Sequence, residues 1–153
     1  MLKQWLKALS GAPAARKEQP SSQLSTALLL IEIARADLDF GDSERDTIIR
    51  LLSGSFGLSD AAAATLIEEA QRRAQEAVSL YDYIKSLNSA LDSDSKRWLI
   101  EMLWRVAYAD GRIDKYEEHL LRKLADLLYI SEEDYVRAKL SAAGAGDGSP
   151  ASE

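Results

Sequence analysis

The chain has 153 residues, no cysteine, a formal net charge of −6 and a pI near 4.9. That length suits one domain with a substantial core. The lack of cysteine excludes disulfides, thiolate metal sites and cysteine nucleophiles and suits a reducing, cytoplasmic setting, while the acidic balance argues against a nucleic-acid partner, which calls for a basic face.

The first ten residues, MLKQWLKALS, place Leu2, Trp5, Leu6 and Leu9 at helical spacing with Lys3, Gln4 and Lys7 opposite. This predicts a short amphipathic helix over 1–10 that contacts a partner, the domain itself or the inner face of a membrane. No apolar run reaches the ~18 residues of a membrane span, and the apolar core and cleavage site of a secretory signal are not expected here. Residues 11–22, rich in Ala, Pro and Ser, read as a linker.

Over 23–142 the apolar spacing and the capping residues predict about seven helices and no sheet. The first covers about 23–37, with Leu24, Ala27, Leu28, Ile31 and Ala34 on one face. Gly41-Asp42-Ser43 separates it from a second at about 43–54, ended by Gly54 and Gly57. Ser59 is an N-cap for a helix to about Ala77, and Ser79 with Asp82 opens one near 80–90. Asp92 and Ser93 precede a helix at about 94–109, Asp114 opens another to about Leu128, and Ser131 with Asp134 starts the last, to about Ala142. Trp98, Met102, Trp104 and Val106, with Tyr81, Tyr83 and Ile84, are expected in the core. In TLIEEAQRRAQEA, Glu68 and Glu69 precede Arg72 and Arg73 and read as a solvated, ion-paired face. The small polar tail, 143–153, is expected to be disordered.

A shift of 73 residues superimposes the two halves. Leu30 meets Leu103, Ala34 meets Ala107, Asp37 meets Asp110, Glu44 meets Glu117 and Leu51 meets Leu124; one inserted residue later, Leu58-Ser59 meets Ile130-Ser131. Two copies are too few for a solenoid and predict an all-α, internally duplicated pair of related helical bundles. Packing explains the apolar pairs but not the matched acids.

The segment ADGRIDKYE imitates a calcium loop: with Gly111 sixth, Asp110 is fifth, Ile113 eighth and Glu117 twelfth. Positions one and three would then be Val106 and Tyr108, which carry no carboxylate, so a functional EF-hand is rejected. Capping explains Asp114 and Glu117, as N-cap and N3 of one helix. It does not explain Asp37 and Asp110, acids at helix C-termini where the macrodipole disfavours them by about 0.3–1 kcal/mol. Compensation comes from Arg35, Arg45, Arg112 and Lys115 or from a bound cation. The cation ligands would be Asp37, Glu44, Asp110 and Glu117, with Asp39 and Asp114 as further candidates. All-oxygen ligation favours calcium, magnesium or manganese. The single histidine, His119, lacks the Glu-x-x-His spacing of a di-iron centre and is assigned to the surface.

The stretches ARADLDFGDSE (34–44) and AYADGRIDKYE (107–117) resemble the two acidic turns of the TerB-like family, named for tellurite-resistance proteins and similar to the N-terminal domain of certain membrane-bound DnaJ-type co-chaperones. The likeness spans about 22–142. It is more specific in the second half; the first has Leu38 at the usual glycine and Gly41 at the usual second aspartate. It implies about seven helices in two related bundles, metal binding by the acidic turns and a role in chemical-stress response at the membrane.

Three classes follow. The leading one is a non-enzymatic, cation-responsive domain that binds a protein partner in a tellurite-resistance-like response, in the cytoplasm or at the membrane's inner face. The second is a metal-free structural adaptor, binding membrane or protein through residues 1–10. The third is a small carboxylate-based hydrolase, against which the sequence offers neither a Gly-rich phosphate loop nor a nucleophile motif. No catalytic residue is assigned.

Overall fold

A computed structural model of the chain describes residues 21–35, 41–76, 79–109, 113 and 115–147. Among these are seven helices and no strand: α1 (Ser22–Arg35), α2 (Asp42–Phe56), α3 (Asp60–Gln75), α4 (Leu80–Ala90), α5 (Ser93–Ala107), α6 (Lys115–Leu127) and α7 (Glu132–Asp147).

The central element is α1. Its sequence, SQLSTALLLIEIAR, is apolar almost all round, the pattern of a helix surrounded by others. Leu29, Leu30, Ile31 and Ile33 are fully buried, and α1 packs against α2, α3, α4, α5 and α6. Its counterpart, α5, is amphipathic: Leu99, Ile100, Leu103, Trp104 and Val106 are buried, while Arg97 stays exposed. The predicted duplication organises the packing. Helix α1 lies most extensively on α3, as α5 does on α7; α2 meets α5, as α6 meets α1; and α1 and α5 pack on each other. The matched residues Leu30 and Leu103, Ala34 and Ala107, and Ile48 and Leu121 are all buried. Helix α4 has no described counterpart in the first half and lies against α1.

Caps fix most boundaries. The Ser59 hydroxyl accepts the Ala62 amide at 3.1 Å, its counterpart Ser131 accepts that of Asp134 at 3.1 Å, and Asp92 accepts that of Ser95 at 2.9 Å. These bonds satisfy amides that helix starts otherwise leave orphaned. Helix α2 continues through Gly54 to Phe56, whose ring is buried, and closes at Gly57 with φ 67°.

Two expectations are corrected. Tyr81 is 66% exposed, whereas Tyr83 and Ile84 are buried; residues two apart on a helix face nearly opposite ways, so burying Tyr83 turns Tyr81 outward. The last helix runs to Asp147 rather than about Ala142. Ala142 is itself fully buried and anchors this end of the helix, and Ala143, a strong helix former, carries it onward despite Gly144 and Gly146. The ion-paired face of α3 is present, with Glu69 bonded to Arg73 at 2.9 Å.

Candidate functional site

The acidic turns join α1 to α2 and α5 to α6. Asp37, Asp39, Asp110 and Asp114 lie outside the described residues, as do Leu2, Trp5, Leu6 and Leu9. The two glutamates of the predicted set are described, and both are buried: Glu44 is 5% exposed and Glu117 3%. Each occupies the first turn of its helix, a position where a glutamate ordinarily faces solvent. Burial disfavours a carboxylate unless it is bonded. At Glu44 the Gly41 amide donates to Oε1 at 3.0 Å and the Ser43 hydroxyl approaches the same oxygen at 3.5 Å. Glycine at position 41 has no side chain to complete the reciprocal cap that Asp114 can supply in the second half. A Cβ there would meet Glu44 Oε1 at 3.2 Å, so the carboxylate occupies the space that a side chain would press into.

Glu32, on the last turns of α1, is a further carboxylate on the approach to the first turn. Burial pushes its pKa up, and Arg35, 3.8 Å away, offsets this only in part. His119 is exposed. Among the described residues no three His, Asp or Glu side chains gather closely enough to hold a metal ion.

The start of the second turn is held beside the first half. A cleft of about 650 Å³ runs between α2 and α5, with Thr47 and Arg50 on one wall and Tyr108 and Ala109 on the other. The α5 wall is braced by Trp98, whose indole N–H donates to Ser55 Oγ at 2.7 Å. The Arg105 guanidinium lies 5.1 Å from the Trp98 ring and pairs with Glu101 at 2.6 Å. Asp110 follows Ala109 directly in the chain.

A family model for tellurite resistance protein TerB matches residues 23–140, from the start of α1 into α7. The chain belongs to the TerB family. The TerB domain thus includes both acidic turns and all the matched residues of the repeat. No curated protein and no solved structure matches the chain. Among the described residues, no helix is long and apolar enough to cross a membrane.

The sequence did not single out the burial of Glu44 and Glu117. Their matching positions in the repeat were the available signal, since packing demands no such pair. It also missed a second cleft, between α4 and α6, lined in part by Leu120, Lys123, Leu124 and Leu127. These four are the repeat counterparts of Thr47, Arg50, Leu51 and Gly54, all in the wall of the first cleft.

Proposed function

We propose that this TerB domain acts without catalysing a reaction: its acidic turns take up a divalent cation of the calcium, magnesium or manganese class, and the domain works by binding a protein partner in a tellurite-resistance-like stress response. The observation that carries the reading is the burial of Glu44 and Glu117 at equivalent first-turn positions. Each follows a turn holding further aspartates, Asp37 and Asp39 in one and Asp110 and Asp114 in the other. A cation between such groups compensates the desolvation of the buried carboxylate and the unfavourable placement of an acid at a helix C-terminus. Hard oxygen ligands select those ions over zinc or copper. Membership of a family not known for enzymes supports the non-catalytic part, and the proposed location is the cytoplasm, with residues 1–10 as a peripheral contact at the inner face of the membrane.

Thermal unfolding tests it. A cation present at ten times its Kd raises the melting temperature by about 3–6 °C in a domain of this size, and Glu44→Gln or Glu117→Gln reduces the rise. An unchanged melting temperature with sub-millimolar calcium, magnesium and manganese contradicts the cation reading. The bond from the Gly41 amide to Glu44 favours one alternative, a metal-free adaptor in which both glutamates only cap their helices. That alternative predicts no cation response. It also predicts that deleting residues 1–10 abolishes vesicle or partner binding.

A further inference from the structure

The cleft between α4 and α6 encloses about 560 Å³. Its apolar lining comes from Leu80 and Ile84 on one side and Leu120, Leu124 and Leu127 on the other. Two aromatic side chains stand at its edge in water, Tyr81 at 66% and Tyr129 at 80% exposure. Large exposed aromatics beside an apolar groove are the residue types that anchor protein interfaces.

Three further observations separate this groove from an ordinary surface depression. The first is the backbone of Tyr129, which has φ 61°, the one positive value among the described non-glycine residues. The Ile130 amide closes the helix end onto the Ala125 carbonyl at 2.9 Å. Its repeat counterpart is Gly57, also left-handed, with the Leu58 amide on the Ser53 carbonyl at 3.2 Å. The same cap thus carries glycine in one half and, in the other, a tyrosine in a conformation that L-residues adopt at a cost. Being mostly in solvent, the tyrosine ring recovers little of that cost by packing. The second is Asn88: its Nδ2 donates to the Leu127 carbonyl at 3.1 Å, which leaves Oδ1 as a buried acceptor without a partner. The third is charge. Among the described lining residues the charged ones are Lys85 and Lys123, with no carboxylate. Lys96 lies 5.5 Å from the Tyr129 ring centre. This cationic groove belongs to a chain of net charge −6.

We infer that the α4–α6 cleft is a docking groove for an amphipathic helix of a partner protein, with an apolar stripe flanked by acidic residues. The stripe fills the groove, the acids meet Lys85 and Lys123, and Tyr129 closes over one end. Charge selects this occupant over two others. A second copy docked by the same face would oppose lysine to lysine, and the chain's own residues 1–10 flank their apolar stripe with Lys3 and Lys7. The inference rests on the reading that the domain works by binding protein and is independent of the cation.

Fluorescence anisotropy tests it with two labelled helical peptides sharing one Leu/Phe stripe, one flanked by Glu and the other by Lys. The acidic peptide is expected to bind the full chain at least about tenfold more tightly than the basic one. The double variant Lys85→Glu/Lys123→Glu reverses that order. Tyr129→Gly weakens binding about fivefold or more without lowering the melting temperature, which separates loss of contact from loss of fold. The inference is overturned if the acidic peptide binds no better than the basic one or equally well to the charge-reversed variant. It is also overturned if sedimentation shows a dimer that Tyr129→Gly dissolves. Failure here with an intact cation response removes the groove alone; peptide binding without a cation response removes the cation alone.

Discussion

The two halves of the domain share a core and differ at the surface their second helices present. Helix α2 turns toward its cleft a threonine, an arginine and a glycine, and ends on Gly57, where the left-handed cap is unstrained. Helix α6 turns toward its own cleft Leu120, Lys123 and Leu127, and ends on Tyr129 in the same conformation. Core positions, by contrast, have kept like residues: leucine faces leucine at 30 and 103, alanine faces alanine at 34 and 107. Packing constrains the inside of both copies equally, because buried side chains interdigitate at crystal-like density. The outer faces have no such constraint, and each half has acquired its own.

The comparison is most forcefully tested in the core. Leu30→Ala and Leu103→Ala, both removing a fully buried side chain, should each destabilise the domain by about 2–5 kcal/mol in urea unfolding. A large cost in one half and a negligible one in the other would break the equivalence of the two bundles. The caps sharpen it at a smaller scale. Gly57→Tyr should cost about 1–2 kcal/mol, as the left-handed conformation does for an L-residue, whereas Tyr129→Gly should be neutral or stabilising by up to about 1 kcal/mol. Equal and opposite signs are not required, but destabilisation by both would mean that Tyr129 packs more than its exposure indicates.

The smallest effect concerns Glu32, whose pKa burial raises. Its folded form holds a proton to higher pH than the unfolded chain, which ionises near ~4.3. Stability therefore falls as pH rises through the interval between the two values. Glu32→Gln should raise stability at pH 7 by about a few tenths of a kcal/mol after solvent screening. That advantage should shrink as pH falls toward the unfolded value, as melting curves at two pH values would show.

Much of this fold was legible in the sequence because its signals are local. Ser59, Ser79, Asp92 and Ser131 marked helix starts through hydrogen bonds that span three residues or fewer. The 73-residue repeat indicated which helices would pack alike. Less was legible where position depends on the assembled surface. Tyr81 looked apolar enough to pack, yet its neighbour Tyr83 had already taken the inward direction. Glu117 read as a helix cap and Glu44 as its repeat partner, and the burial of both depends on how the helices close around them. Tyr129 gave no sign of a left-handed backbone except through its alignment with Gly57, and a groove between α4 and α6 cannot be read from either helix alone. The four aspartates Asp37, Asp39, Asp110 and Asp114 stay an expectation of the sequence, whereas the two glutamates of the same set, Glu44 and Glu117, are buried.

The central claim, that matched acidic turns take up a divalent ion, is tested most directly by adding manganese to isotopically labelled protein and following amide resonances. Paramagnetic broadening should appear first at Gly41–Arg45 and at Lys115–Glu118, at sub-stoichiometric ion, and should diminish in Glu44→Gln and Glu117→Gln. Broadening spread evenly over the acidic surface, or strongest at exposed carboxylates such as Glu68 and Glu133, would contradict it.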